Sequence, residues 1–182
     1  MTVDSDAAHA ERPVRIAVVT VSDGVAAGTR EDTSGALIGE WIRARGSTLV
    51  TRDVVPDAAA RLTSKLLALC DAGPGADAVD VVLTTGGTGF TVRDITPEAT
   101  CAVIEREVPG IPEQLRASGA LHTPYATLSR GVAGLRGRTL IVNLPGSTGG
   151  VRDGLAVLDE IIDHAVQLLR GENTDRHDPP HG

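Results

Sequence analysis

Three short runs of apolar, mostly β-branched residues recur along the chain, and each is followed by a loop rich in glycine or proline. They are residues 14–22, 79–85 and 139–145, with the sequences VRIAVVTVS, VDVVLTT and TLIVNLP. Short, uniformly apolar runs are typical of strands that are buried on both faces of a parallel sheet. A fourth run, LVTRDVV at 49–55, alternates more and predicts a strand nearer a sheet edge.

Segments with helical spacing separate these strands. The predicted helices begin after Asp32, after Asp57, at Thr96 and near Val151, and they end before Gly46, before residues 71–75, at about Val108 and before Gly171. Thr96 is the expected N-cap of the third helix, because Pro97 suits the first helical position. Strands that alternate with helices predict a single α/β domain with a mostly parallel sheet over residues 13–171. Residues 1–12 and 172–182 are predicted to be flexible tails.

Composition excludes several classes of protein. No apolar stretch in the 182 residues approaches the roughly 18 residues of a membrane span, so we expect no membrane partner. A formal net charge of −7 and an aromatic content of 2% argue against a nucleic-acid surface. The N-terminal residues lack the pattern of a secretory signal, which predicts a cytoplasmic protein. Cys70 and Cys101 form no CxxC pair and predict two buried, reduced thiols.

Two glycine-rich loops follow predicted central strands, at the sheet edge where α/β proteins bind ligands. The loop TTGGTG at 84–89 could be an anion-binding nest of backbone amides or a plain strand-to-helix turn. It is neither a Walker A loop nor the GxGxxG dinucleotide fingerprint. The loop NLPGSTGG at 143–150 could hold a phosphate at the start of the last helix, or it could be a connector. Two such loops in one sheet favour a phosphorylated ligand.

Two aspartates are expected at the same edge of the sheet. Asp57 follows the second strand and Asp94 follows the TTGGTG loop. Carboxylates beside phosphates require a cation, and Mg²⁺ commonly takes one or two carboxylates together with phosphate oxygens. The pair therefore suggests Mg-nucleotide chemistry. The alternatives are that Asp57 is only an N-cap, and that Asp94 pairs with Arg93 or caps the following helix.

Five motifs, in order and at comparable separations, resemble the Mog/MoaB family of molybdenum cofactor biosynthesis. They are VVTVSDGVAAGTREDTSG, VVPD, VLTTGGTGFTVRDITPEAT, PGIPEQLR and LIVNLPGS, and the resemblance covers about residues 14–171. It implies a three-layer αβα sandwich, usually a homotrimer. It also implies Mg²⁺-dependent transfer of an adenylyl group from ATP to molybdopterin, with release of pyrophosphate. Hand-over of the product to a molybdate-inserting protein would follow.

The resemblance also implies roles for individual residues. Asp57 and Asp94 match acidic residues that the family ties to Mg²⁺ and catalysis. Residues that match ligand-contacting loops, or that are expected to line the same cleft, are Ser22, Asp23, Ser34, Gly35, Thr85, Gly86, Gly87, Thr88, Gly89, Pro145, Gly146 and Ser147. In the mechanism expected, Arg93 or Arg130 adds positive charge, although Arg93 could equally be a surface residue or a partner to a neighbouring acid. Phe90 could stack on a ring but is expected to cover the core.

Two departures from the family pattern leave an alternative function open. Ala58 stands where the family commonly has glutamate, and Thr148 stands where it commonly has proline. The first removes a carboxylate beside Asp57, and the second removes a residue that stiffens the loop. The alternative is a paralogue that binds molybdopterin without adenylylating it efficiently. A different phosphotransfer enzyme would fit the loops but not the long motif match.

Overall fold

The computed structural model describes residues 12–73, 75 and 78–171. Most of both predicted tails, and three residues of the turn at 71–78, lie outside the described residues. Six strands in the described part form one sheet: β1 Arg15–Val21, β2 Thr48–Val55, β3 Val81–Thr85, β4 Arg106–Glu107, β5 Ala133–Arg136 and β6 Thr139–Leu144. The helices are α1 Asp23–Ala26, α2 Thr33–Ala44, α3 Ala59–Cys70, α4 Thr96–Cys101, α5 Gly110–Ala120 and α6 Thr148–Arg170, with a 3-10 helix at Pro124–Leu128.

The strand order is β2-β1-β3-β6-β5-β4. The first four strands are parallel, and β5 and β4 extend the sheet in antiparallel pairs. The four predicted strands are therefore confirmed, and β2 lies at an edge, as its alternating pattern predicted. The apolar runs give β1, β3 and β6 the central positions, where helices cover both faces of the sheet.

Helices pack on both faces of this sheet, which confirms the three-layer sandwich. On one face, α2, α5 and α6 bury apolar side chains that include Ile38, Ile111 and Leu158. On the other face, α3 and α4 bury side chains that include Leu62 and Ala99. In the described ranges, no helix is both long enough and apolar enough to cross a membrane.

The prediction of a helix from Thr96 to about Val108 is wrong in both of its boundaries. The helix ends at Cys101, because the chain then turns to pair with β5: the amides of Glu105 and Val108 donate to the carbonyls of Leu135 and Ala133. Thr96 is the first helical residue rather than the N-cap, since its hydroxyl donates to the carbonyl of Gly86 instead.

Other elements differ from the sequence interpretation as well. The last helix starts at Thr148, three residues before Val151, and it ends as expected at Gly171, whose φ is 73°. The sequence interpretation assigned no element to α1, α5, the 3-10 helix, β4 or β5. Of the two cysteines, Cys70 is partly buried and Cys101 is exposed, so the prediction that both are buried is wrong for Cys101. Cys101 is the last residue of α4 and is exposed together with Glu98, whereas Ala99 and Thr100 of the same helix are buried.

A charged cluster joins the first and last described elements at the amino ends of the central strands. Asp80, just before β3, accepts hydrogen bonds from the backbone N–H of Arg15 at 2.8 Å and from the Arg170 guanidinium at 2.7 Å. Arg170 also donates to the carbonyls of Arg12 and Pro13. The C-terminal end of α6 is therefore fixed beside the start of β1. Both lie at the amino ends of the central strands, opposite the glycine-rich loops.

Candidate functional site

The loops after β3 and β6 are hydrogen-bonded to each other at the end of the sheet where the central parallel strands have their carboxyl termini. The Thr85 hydroxyl donates to the carbonyl of Pro145 at 2.7 Å, and the Gly86 amide donates to the carbonyl of Leu144. A Cβ atom on Gly146 would lie 3.2 Å from the Cα of Gly86, so the two backbones almost touch. The two loops that the sequence analysis selected therefore form one unit.

Two glycines give the first loop its shape. Gly86 and Gly87 have φ angles of 95° and 65°, which residues other than glycine rarely adopt. A Cβ atom on Gly86 would overlap the carbonyl oxygen of Val21, and one on Gly87 would overlap the hydroxyl of Thr96. The glycines therefore serve both the turn and the close approach of β1 and α4.

The second loop leads into the longest helix of the domain. Ser147 is the N-cap of α6, and its hydroxyl accepts a hydrogen bond from the Gly150 amide at 3.2 Å. The structure shows this hydroxyl as a helix cap. Backbone N–H groups at the start of a helix favour anions in their neighbourhood.

A cavity of about 440 Å³ lies between these loops, α5, the 3-10 helix and the start of α6. Four predicted site residues line it: Thr88, Gly89, Pro145 and Ser147. Its walls are mostly apolar, and one of them is made by α5 and the 3-10 helix. A largely apolar cavity with a few polar groups is the usual form of a small-molecule site.

A second group of predicted residues lies around the ends of β1 and β2, outside the lining of this cavity. Ser22 is the N-cap of α1, and its hydroxyl accepts from the amide of Val25. Asp23 and Asp57 exchange hydrogen bonds, and the Arg93 guanidinium forms an ion pair with Asp23. The Arg93 hydrogen bond, followed by the Asp57 amide, lowers the pKa of Asp23 below its ordinary value. Arg93 is thus partnered with a carboxylate, although its side chain is mostly exposed.

Asp94 lies in the loop between β3 and α4. Its carboxylate accepts a hydrogen bond from the Thr91 amide at 2.7 Å. Desolvation tends to raise the pKa of Asp94, but hydrogen bonds from Thr91 and Gly89 and the charge of Arg130 together lower it. Asp94 therefore has a carboxylate that is easily ionised. The described contacts connect it with Asp57 only indirectly, through its neighbour Arg93 and through Asp23.

Arg130 binds the loop that carries Asp94. Its guanidinium donates to the carbonyl of Gly89 at 2.7 Å and to the carbonyl of Asp94 at 2.6 Å, and it forms an ion pair with Glu98. Its amide donates to the carbonyl of Thr88. This side chain is therefore used to hold the loop rather than to face open solvent.

Ser34 and Gly35 lie apart from the cavity, at the start of α2. Asp32 caps this helix, since its carboxylate accepts from the Gly35 amide at 2.9 Å and from the Thr20 hydroxyl at 3.0 Å. Ser34 is buried, and neither residue lines the cavity. The residue that joins α2 to β1 is Asp32, and Gly35 contributes its amide to that cap.

Phe90 does not cover the core. Its side chain is 69% exposed and lies in a shallow depression with Asp94 and Arg130. The prediction that it packs on the core is wrong, because the loop segment 90–93 is exposed throughout. No ligand-stacking role follows from exposure alone.

The cavity also contains polar residues that the sequence analysis missed. They are Arg116 on α5, His122 just after it, and Asp153 on α6. His122 and Asp153 form a pair, with Nδ1 and Oδ1 3.2 Å apart. Arg116 belongs to the quoted motif PGIPEQLR, so the signal that could have marked it was present, but no helix had been assigned there. The pair of His122 and Asp153 depends on the packing of α5 against α6, which no local pattern reveals.

Comparisons with known proteins find relatives over most of the chain. Residues 17–164 match the family model described as "Probable molybdopterin binding domain". The chain is 36% identical over 157 residues to the molybdenum cofactor synthesis protein cinnamon of Drosophila melanogaster, which covers 86% of this chain and 26% of that protein. It is 36% identical over 160 residues to the molybdopterin adenylyltransferase of Helicobacter pylori, covering 87% and 89% of the two chains.

Several relatives are longer than this chain, which spans only 51% and 47% of the bifunctional molybdenum cofactor biosynthesis proteins of Chlorobaculum tepidum and Synechococcus elongatus. Among solved structures, the molybdopterin biosynthesis enzyme MoaB of Thermus thermophilus superposes with a TM-score of 0.80. It is 42% identical and covers 87% of this chain and 98% of that one. The expected resemblance is thus confirmed, and the chain belongs to the Mog/MoaB family, whose domain is described as molybdopterin-binding.

Proposed function

We propose that this protein transfers an adenylyl group from ATP to molybdopterin, giving adenylylated molybdopterin and pyrophosphate. The observation that carries the proposal is the joining of two glycine-rich loops over one cavity, at the carboxyl edge of the central strands. A relative of similar length is named for this activity. The cavity and the loops supply a place for an apolar ring system beside an anionic group.

The chemistry needs positioning more than proton transfer. The phosphate of molybdopterin is already anionic near neutral pH, so one of its oxygens can attack the α-phosphorus of ATP without a general base. The bond from that phosphorus to the pyrophosphate oxygen breaks, and pyrophosphate leaves with the electron pair. The chain's amides and cations would align the two phosphates and offset their charge.

The acidic residues suit Mg²⁺ as the accompanying cation. Bound Mg²⁺ would neutralise phosphate charge, and the residues proposed to hold it are Asp57 and Asp94. The described residues contain no group of three or more potential metal ligands, which fits a cation held by one or two carboxylates and the substrate phosphates. Asp23 is hydrogen-bonded to Asp57 and forms an ion pair with Arg93.

The two departures from the family pattern bear on how efficient this reaction is. Ala58 is the N-cap residue of α3 and makes no side-chain hydrogen bond to that helix. Thr148 is the first residue of α6, after the Ser147 cap that remains in place. Neither change removes a residue that lines the cavity or either aspartate. Retention of the two aspartates supports transfer over the alternative of molybdopterin binding without adenylylation.

The proposal includes a homotrimer in the cytoplasm and hand-over of the product to a molybdate-inserting protein. Exposed apolar side chains that assembly could cover are Phe90, Val92, Leu121, Tyr125 and Leu128. Light scattering coupled to size exclusion would test the assembly, with a mass three times that of the 18.8 kDa chain expected.

The activity is tested with purified protein, molybdopterin, ATP and Mg²⁺ under anaerobic conditions, with adenylylated pterin followed by chromatography. The Asp94→Ala variant is assayed alongside, and Asp159→Ala, at an exposed position on α6, is the matched control. We expect product from the wild type and the control but not from Asp94→Ala. Molybdopterin binding without product at every Mg²⁺ concentration would instead establish the binding paralogue.

A further inference from the structure

We propose that Arg116 binds a phosphate group of the ligand inside the cavity and thereby makes the site selective for phosphorylated pterins. The inference deepens the proposed function and rests on it, because it concerns the same cavity. It rests on three observations. Arg116 lines the cavity, its guanidinium is held by backbone carbonyls, and within the described residues it forms no ion pair with a carboxylate.

The guanidinium of Arg116 is oriented from one side only. Arg116 is half-buried on α5 and lines the cavity. Its Nη1 donates to the carbonyl of Ser129 at 3.3 Å and to the carbonyl of Gly131 at 3.2 Å. Its Nε and Nη2 have no protein acceptor within the ranges that the structure describes. The backbone thus fixes the group while leaving donors for a ligand.

Arg116 also lacks a counter-charge. Other arginines near the candidate site are paired with carboxylates: Arg93 with Asp23, and Arg130 with Glu98. In the described part of the chain Arg116 has no such pair. Asp153, the carboxylate in the same cavity, contacts His122 rather than Arg116. Among the described residues, Arg116 is therefore a cation in the cavity lining with no carboxylate at ion-pair distance.

The chemistry of this arrangement suits a phosphate. A guanidinium presents planar donors that match phosphate oxygens, and its weak hydration lowers the cost of moving it out of water. Mostly apolar walls strengthen the attraction, because less water screens it. A carboxylate on the ligand would meet the same donors, but a phosphate monoester carries more negative charge. The rest of the cavity, which is mostly apolar, would accept a neutral ring system.

The test measures selectivity rather than affinity alone. A fluorescent oxidised derivative of molybdopterin is titrated against the wild type before and after removal of its phosphate by a phosphatase. The same titrations are made with Arg116→Gln, with Arg116→Lys, and with Arg106→Gln, which changes an exposed arginine outside the cavity. Circular dichroism and thermal unfolding confirm that each variant is folded.

We expect Arg116→Gln to bind the phosphorylated derivative roughly 10- to 100-fold more weakly, from the usual strength of a charge-assisted hydrogen bond. The same variant should bind the dephosphorylated form as the wild type does. Arg116→Lys should be intermediate, and Arg106→Gln should be unchanged. If Arg116 only joined α5 to residues 129–131, both forms would lose affinity equally, and that result would overturn the proposal. Equal affinity of the wild type for the two forms would overturn it too.

The adenylylation assay separates this inference from the proposed function. If the wild type forms product and Arg116→Gln still prefers the phosphorylated derivative, the proposed function is supported and the inference about Arg116 is wrong. A wild type that forms no product, but loses its selectivity for phosphate in Arg116→Gln, leaves the inference standing and shows the chain to be a binding protein.

Discussion

Asp23 and Asp57 each accept a hydrogen bond from the other's backbone N–H. The Asp23 amide lies 2.8 Å from Oδ2 of Asp57, and the Asp57 amide lies 3.0 Å from Oδ1 of Asp23. This exchange joins the segments that follow β1 and β2 and brings two carboxylates close together. Arg93 binds Asp23 from the neighbouring loop.

Replacing Asp57 by asparagine separates its charge from its hydrogen bonding. The asparagine oxygen can still accept from the Asp23 amide, so the loop should keep its shape while the carboxylate charge is lost. We expect kcat for adenylylation to fall at least about 100-fold in both Asp57→Asn and Asp57→Ala. The dissociation constant for molybdopterin, measured by fluorescence, should change by less than about threefold, since Asp57 lies outside the cavity lining.

The matched control is Asp159→Asn, which changes an exposed carboxylate on α6. It should retain wild-type kcat. Wild-type turnover in Asp57→Asn together with a loss in Asp57→Ala would show that Asp57 acts only through its hydrogen bonds, against our interpretation.

Removing Arg130 should disorder the loop that positions Asp94. Arg130→Ala deletes the bonds to the carbonyls of Gly89 and Asp94 and the pair with Glu98. We expect kcat to fall at least about 10-fold, because misplaced reacting groups lower the rate steeply. Millimolar guanidinium should restore part of the activity by occupying the vacated site.

Arg43→Ala serves as the comparison, since it removes an arginine from the last turn of α2. It should keep its activity and show no response to guanidinium. If guanidinium restores Arg130→Ala no better than sodium at equal ionic strength, the proposed positioning role of Arg130 is wrong.

The central strands were predictable because local sequence dictates them. A β-branched apolar run can be buried on both faces only in the middle of a covered sheet, so 14–22, 79–85 and 139–145 specified β1, β3 and β6. By contrast, β4 has only two residues, both exposed, and it exists because it pairs with β5. The cavity was missed for a similar reason, since Arg116 and Asp153 meet there only after α5 packs against α6.

Gly86 should tolerate alanine much less well than another glycine with positive φ. Gly86→Ala combines a strained φ of 95° with overlap of the Val21 carbonyl, whereas Gly46, at φ 75°, has no neighbouring atom within 4 Å of an added Cβ. We expect Gly46→Ala to lower the free energy of unfolding by about 1 kcal/mol, and Gly86→Ala to lower it by at least about 3 kcal/mol. Urea unfolding measures both values. Similar losses would show that the backbone of Val21 can move away.

The two cysteines should differ in reactivity and in pH dependence. Burial, followed by the charge of Asp71, raises the pKa of Cys70 to about 12. Only the thiolate is alkylated, so the rate at Cys70 should be very low at pH 8 and rise about tenfold per pH unit up to that pKa. Cys101 is exposed and should react first, although burial of part of its side chain raises its pKa as well.

Iodoacetamide labelling followed by peptide mass spectrometry measures the two rates. A single adduct at Cys101 is expected for the folded protein at pH 8, and both cysteines should react in urea. Faster labelling of Cys70 than of Cys101 in the folded protein would contradict the burial that the structure shows.

The bonds from Arg170 to the carbonyls of Arg12 and Pro13 have a consequence for how this domain can be combined with others. They hold the entry into β1 and the exit from α6 side by side, and the candidate site lies at the opposite edge of the sheet. A polypeptide attached at either point would therefore leave the glycine-rich loops uncovered, and the whole unit could be inserted into a host protein through adjacent linkers. The same geometry should make circular permutants, in which residues 12 and 171 are joined by a short linker, fold with the site intact.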